Sequence, residues 1–356
     1  MIVKNEAPVI ERCLDSVRSF IDAWAIVDTG STDGTQDIIR RSLGALPGEL
    51  IERPWKNFGH NRTEALEHAR GRADYILLMD ADEVLELPTG FELPRLTAEE
   101  YWIVHRFRTA ADVAWKRGTL LQSGLPWRFE GVLHEHLVCA RERYMREVLP
   151  GPTIWVHFDS ARNANPIEKF RSDARILEQA IVDEPNNARY VFYLAQSYRD
   201  SKQTAKAIAM YERRATMGGF AEEVYFSKFE AARLKEESNA PWPVVCAGYL
   251  DAYQARPVRS EPLVALARSY RGKHAWALAE LFARTAVAIP VPEDGLFVDL
   301  SAYQWRALDE LAIATFYTGK VDEATALNER LLASALLPAG ERPRIEANLA
   351  LCRARR

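Results

Sequence analysis

The chain has 356 residues, 48% hydrophobic and 27% charged, which is ordinary for a globular protein and long enough for two cores. Its formal net charge of -4 argues against nucleic acid or an anionic membrane as the main partner. No apolar run approaches the roughly 20 residues that span a bilayer, and Met1 to Glu6 turns polar too soon for a signal peptide, so a cytoplasmic protein with no transmembrane segment is expected.

In chain order, residues 7–20 place Val9, Ile10, Cys13, Leu14 and Val17 at helical spacing, with Pro8 suited to a first turn. Residues 24–28 form a short apolar run that ends in a Gly/Ser/Asp cluster and predict a buried strand entering a loop. Residues 35–43 predict a helix with Ile38, Ile39 and Leu43 on one face. Residues 50–53 predict a strand, and 61–69 a helix with Ala65, Leu66 and Ala69 inward. Residues 75–79 form a second apolar strand running straight into Asp80-Ala81-Asp82-Glu83. This alternation predicts an α/β domain, Rossmann-like, with a mostly parallel sheet covered by helices on both faces. Ligands of such sheets bind at the carboxyl ends of the strands, where both acidic clusters fall. Residues 85–160, with aromatic pieces such as Tyr101-Trp102, predict antiparallel strands and loops that complete a domain over 1–162.

From residue 163 the pattern is helical without strands. Leu194, Ala195, Tyr198, Ala207 and Tyr211 follow the small/large spacing of tetratricopeptide repeats. Leu266, Ala267, Tyr270, Ala279 and Phe282 repeat nearly the same offsets, and Leu311, Ala312, Gly319 and Ala324 do so more weakly. A twelve-residue step between small residues lets the two helices of a hairpin approach closely, and such units must stack to bury their apolar faces. Residues 163–356 are therefore expected to be an all-α tetratricopeptide-like helical repeat domain, with a generic helical bundle as the alternative. Cys13, Cys139, Cys246 and Cys352 lie far apart with no CxxC, which suits free thiols in a reducing compartment.

Asp80 and Asp82 alternate onto one side of an extended segment, so one can reach a ribose while the other holds a divalent metal at a diphosphate. Asp28 stands at a strand tip, where a simple acidic turn capped by Asp33 or Ser31 gives no reason for a carboxylate. Together, Val3-Lys4-Asn5-Glu6, Cys13-Leu14-x-Ser16-Val17, Val27 to Thr35 and Asp80 to Glu83 resemble, in order and spacing, the family 2 glycosyltransferases of the GT-A fold. The resemblance covers about 85 residues. It implies a nucleotide-sugar donor, usually a UDP-sugar, a Mn²⁺ or Mg²⁺ ion, and inversion at the anomeric carbon. Carried over, it implies that Asp28 contacts the uracil or ribose and that Asn5, Glu6 and Asp33 line the nucleotide pocket. Asp80 would contact the ribose and Asp82 would ligate the metal. Arg62 falls where such enzymes often place a basic residue near the nucleotide, or is a surface arginine.

The stretch Phe129 to Leu137 resembles the G-x-x-H-E-x-L stretch of a branch of this family. That makes Glu135 the candidate catalytic base, with His134 and Glu130 next, unless the segment is purely structural. His157 resembles the late histidine that completes the metal's coordination in several GT-A enzymes, or is a buried structural histidine. The chain starts at Met1 and leaves only Ile2 and Val3 before Lys4, so the first strand is expected to be short or to begin upstream. Attachment of repeats resembles a bacterial subgroup that includes the sublancin-type peptide S-glycosyltransferases. The repeats would then bind a peptide or protein acceptor or make a homodimer, with residues 240–243 and Tyr190, Tyr193 and Tyr198 as candidate contacts or core. A glycan acceptor is equally compatible. An idle adaptor that binds a protein partner is the competing class, and the intact acidic set argues against it. A nucleotidyltransferase would want a glycine-rich basic loop after the first strand, which Asn5-Glu6-Ala7-Pro8 is not.

Overall fold

The computed structural model describes residues 1–108 and 114–355, and the chain divides into two compact units, Met1–Val182 and Asp183–Arg356. In the first unit, β1 (Ile2–Val3), β2 (Trp24–Asp28) and β3 (Gly48–Glu52) pair in parallel, in the order β1-β2-β3. Between them run α1 (Ile10–Val17) and α2 (Thr35–Leu43), and after β3 comes α3 (Phe58–Ala69). Neighbouring residues of β2 face opposite ways, as the pleat requires. Ile26 packs with Ile10, Leu14, Ile39 and Leu43 of α1 and α2, while Val27 packs with Ala65 of α3. The helix α3 starts where the Asn57 side chain accepts from the His60 N–H at 2.8 Å, a side-chain cap on an otherwise orphaned donor.

The parallel sheet expected from the strand–helix rhythm is present as β1–β3, and there it stops. The strand β4 (Tyr75–Leu77) pairs antiparallel with β7 (Ala114–Gln122) in a second sheet that also holds β5 (Glu83–Glu86), β6 (Glu100–Phe107) and β10 (Arg146–Val156). Its order is β4-β7-β6-β10-β5, and within it only β6 and β10 run parallel. The hairpin β8 (Trp127–Glu130) and β9 (His136–Cys139) packs beside α3. Between the two larger sheets lies a cavity of about 480 Å³ lined mainly by apolar side chains such as Trp24, Leu66, Tyr75 and Leu77. Of the candidate site residues only Arg62 borders it, so it lies behind the strand ends rather than at them.

After β10, α4 (Pro166–Asp183) leads to a run of helices: α5 (Ala188–Asp200), α6 (Thr204–Thr216), α7 (Ala221–Glu237), α8 (Trp242–Ala255), α9 (Glu261–Gly272), α10 (Trp276–Val287), α11 (Ala307–Tyr317), α12 (Val321–Ala333) and α13 (Arg342–Arg355). From α5 onward each packs against the next, the pattern of a stacked hairpin array. The alanine pairs at the twelve-residue step, Ala195/Ala207, Ala267/Ala279 and Ala312/Ala324, are all buried, one in each helix of a hairpin. The hairpin α7–α8 uses another pair: a Cβ on Gly248 would stand 2.9 Å from the Cβ of Ala232. Helicity begins at Ala161–Asn163, where the sequence changes character, but by contacts α4 up to Val182 belongs with the first unit. Of the aromatic residues expected as acceptor contacts or core, Tyr190 and Tyr198 are buried, and Trp242 stands edge-on to Tyr270 at 5.1 Å. Among the described residues no helix is long and apolar enough to cross a membrane.

Candidate active site

The strand β2 ends in Asp28, which is 1% exposed. Its Oδ1 accepts from the backbone N–H groups of Gly30 and Ser31, both at 2.8 Å, and the turn relies on Gly30 at φ +102°. The other oxygen, Oδ2, is buried with no hydrogen-bond partner among the described residues. A carboxylate oxygen left in that state is costly unless a ligand donates to it. Around it two loops are knitted together. The Asn5 N–H donates to Ser31 Oγ and Asn5 Oδ1 accepts from the Thr32 N–H, each at 2.8 Å. The Glu6 N–H donates to Thr35 Oγ1 at 2.9 Å, and the Ala7 N–H donates to Asp33 Oδ2 at 3.0 Å. Burial pushes the Asp33 pKa up, but the hydrogen bonds from Thr35 and Ala7 outweigh it and hold the carboxyl below its ordinary value. Asn5 and Asp33 thus shape the loops that frame Asp28.

At the end of β4 a chain of alternating charges begins. Asp80 Oδ1 accepts from Arg62 Nη2 at 2.6 Å, and Asp80 Oδ2 lies 3.5 Å from Arg117 Nη1. Burial would raise the Asp80 pKa, but the Arg62 and Arg117 charges win and bring it to about 2. Arg117 Nη2 also donates to Glu83 Oε1 at 2.8 Å, while Glu83 Oε2 accepts from the Asp80 N–H at 2.8 Å. Burial nevertheless lifts the Glu83 pKa to about 7, with Arg117 opposing and Asp80 adding. Behind it His105 is fully buried, and burial followed by the Arg117 charge depresses its pKa to about 4. On the other side, Arg62 Nε stands 2.7 Å from Glu135 Oε1, an ion pair without hydrogen-bond geometry. Arg62 therefore joins Asp80, at the end of β4, to Glu135, in the turn before β9.

Residues 1–88 match the family model for glycosyl transferase family 2. The amino-terminal part of this chain is a family 2 glycosyltransferase domain. Among curated proteins, the chain is 34% identical over 141 residues to a TPR repeat-containing protein of Synechococcus elongatus, 38% of this chain and 34% of that protein. It is 34% identical over 85 residues to the glycosyltransferase SunS of Bacillus subtilis, 24% of this chain and 19% of that protein. It is also 30% identical over 105 residues to the lipopolysaccharide core biosynthesis glycosyltransferase LpsC of Rhizobium meliloti, 29% of this chain and 38% of that protein. The chain thus spans well under half the length of each relative it matches. Among solved structures, a thermophilic TPR protein of Thermus thermophilus covers 52% of this chain and 92% of its own at 17% identity, with a TM-score of 0.35.

Glu135 and His157 lie beyond the residues matched to the family but within the first compact unit, and the fold brings both to the acidic segment. Glu135 reaches Arg62 as described. The His157 N–H donates to the Asp82 carbonyl at 3.1 Å, so the histidine sits beside the acidic pair through the backbone. Burial, then the Arg12 charge, lowers its pKa, which favours the neutral imidazole, the form that binds metal. Asp82 is 8% exposed and, among the described residues, has no cationic side chain within ion-pair distance. Burial, then the negative charge of Asp80, raises its pKa. This carboxylate would be relieved by a divalent cation, so the donor set fits one. No cluster of three metal-ligating side chains occurs among the described residues.

Glu6 is buried beside the same groups. Burial, opposed by the hydrogen bond from the Ala161 N–H at 3.2 Å and reinforced by Asp82, Asp33 and Asp159, lifts its pKa to about 7. His134 lies on the exposed side of its turn with a left-handed backbone at φ 52°, while Glu130 pairs with Arg128 and lies 4.0 Å from His136. Sequence reasoning missed Arg117, His105, Asn163 and Lys169. Glu83 was adjacent to the motif and carried a signal. Arg117 shows only the alternation of a strand, and its meaning depends on β7 crossing next to β4.

Proposed function

We propose that the chain is an inverting, metal-dependent hexosyltransferase that moves a sugar from a nucleotide-sugar, a UDP-sugar, to a peptide, protein or glycan acceptor in the cytoplasm. The observation that carries this reading is the Asp80–Arg62–Glu135 chain, which delivers a carboxylate from outside the family-matched residues to the Asp-Ala-Asp segment. An adaptor with an idle first domain would have no use for it. In this reading Asp28 Oδ2 accepts from the base or ribose, Asn5, Glu6 and Asp33 shape that pocket, and Asp80 with Arg62 positions the ribose and diphosphate. Asp82 and His157 would hold the Mn²⁺ or Mg²⁺ ion, which neutralises charge on the departing diphosphate. Glu135 Oε takes the proton of the acceptor hydroxyl or thiol as its heteroatom attacks the anomeric carbon. The bond from that carbon to the phosphate oxygen breaks, and its electron pair leaves with the nucleoside diphosphate. The Arg62 guanidinium holds the Glu135 carboxylate in place until the donor phosphates draw the guanidinium toward them. His134, beside Glu135, is the second candidate for the proton. The helical repeats supply the acceptor-binding or homodimer surface.

Thermal stability with UDP, GDP, UDP-glucose, UDP-GlcNAc and GDP-mannose, each with and without Mn²⁺, tests the donor. A shift that requires the metal and one nucleotide is expected, because a ligand that binds the native state stabilises it. Glu135→Gln should keep that shift and lose about 10²- to 10⁴-fold in transfer, the span of general-base catalysis. Absence of any nucleotide shift in the wild type would favour the adaptor.

A further inference from the structure

After β10 the chain turns back across the acidic pair. The Ala161 N–H donates to Glu6 Oε2, and the Asn163 amide donates to Ser160 Oγ at 2.8 Å and to Asp82 Oδ2 at 3.4 Å. Lys169, in the first turn of α4, donates from Nζ to Asn163 Oδ1 at 2.9 Å. One amide side chain therefore separates the lysine ammonium from the Asp82 carboxylate. Lys169 is half-buried, yet among the described residues no carboxylate stands within ion-pair distance of it. The nearby Asp173 is paired with Arg162, whose guanidinium also lies over the Phe58 ring at 4.4 Å. A partly desolvated ammonium held by a neutral amide gains far more from an anion than from water or a carbonyl. Burial, then the Arg162 charge, makes its pKa lower than that of an ordinary lysine. A phosphate would relieve both effects.

We propose that Lys169 is a diphosphate-binding residue, which meets the donor's phosphate oxygens beside Asp82 and holds the nucleoside diphosphate as it leaves. The proposal rests on the donor-site reading above, but it concerns residues beyond those matched to the family and an anion rather than a sugar. A positioning role is the alternative: Lys169 could merely orient Asn163.

Calorimetric titration of the full chain with UDP, uridine and inorganic pyrophosphate, each with Mn²⁺, separates these. In Lys169→Met, UDP and pyrophosphate affinities should fall about 10- to 100-fold, the loss of one charge-assisted hydrogen bond, with uridine affinity unchanged. Lys169→Arg should retain most of the UDP affinity, and the melting temperature without ligand should stay level or rise in both variants. Equal weakening of UDP and uridine would mean a positioning role and would overturn the proposal, as would unchanged UDP affinity. Wild-type protein that binds pyrophosphate through Lys169 but no nucleotide would keep the anion site and sink the transferase reading. Wild-type protein that binds neither sinks both.

Discussion

Gly59 and Gly131 meet with no room for a side chain: a Cβ on Gly59 would stand 2.3 Å from the Gly131 carbonyl oxygen. That contact presses the first turn of α3 against the turn between β8 and β9, and the Phe58 N–H donates to the Val132 carbonyl at 3.2 Å beside it. Arg62 follows one turn later on α3 and Glu135 four residues after Gly131. The two glycines thus set the distance across which the Arg62–Glu135 pair forms.

Gly59→Ala should therefore push the turn away by the thickness of a methyl group. A cost of about 1–3 kcal/mol is expected for overpacking against backbone. The melting temperature should fall, and sugar transfer should fall further than nucleotide binding. Equal loss of both, or loss of neither, in paired titration and transfer assays would show that the contact does not position Glu135.

Asp82→Asn removes a carboxylate whose charge is disfavoured by burial and by Asp80. A raised carboxyl pKa means the ionised form opposes folding at neutral pH. The variant should melt higher without ligand. It should also lose the Mn²⁺-dependent nucleotide shift. Retention of that shift would remove Asp82 from the metal site.

Glu6 and Glu83 both titrate near 7 in the folded protein against an ordinary value of 4.5. Their contribution to stability is complete below the unfolded value and is lost as pH rises through 7. His105 acts in the opposite sense, since its pKa of about 4 against 6.5 means stability is lost as pH falls below 6.5. Between 4.5 and 6.5 the loss from the two glutamates outweighs the gain from His105, so these three groups make stability without ligand fall as pH rises from 4.5 to about 7. Glu6→Gln keeps an acceptor for the Ala161 N–H and should flatten that decline. Urea midpoints of the two proteins at pH 5, 6 and 7 measure this; parallel curves would show that the Glu6 pKa is not raised in the folded protein.

Ala267→Leu places a larger side chain where α9 and α10 touch, at a site buried on both partners. A loss of about 1–3 kcal/mol is expected, seen as a lower urea midpoint. Affinity for UDP should not change. If acceptor transfer alone declines, the repeats take part in acceptor binding.

Much of the architecture was legible in the chain itself because it follows from local periodicity. The apolar strand Trp24–Asp28 and the helical stripes of Ile10–Val17 and Thr35–Leu43 emerge as predicted, and so do the buried alanines twelve residues apart. The hairpin α7–α8 escaped notice because its close contact, Ala232 to Gly248, spans sixteen residues along a longer first helix. Asp28, Asp80 and Asp82 could be placed at strand ends, since an apolar strand entering an acidic loop needs only neighbouring residues. The tertiary structure alone decided that β4 leaves the parallel sheet to pair with β7, and that Arg117 thereby reaches Asp80 and Glu83. It also decided that Arg62 bridges to Glu135, and that Asn163 and Lys169 come to lie beside Asp82. These are contacts between residues tens of positions apart. Their partners are chosen by sheet order and by the packing of glycine against glycine, and no local pattern records either.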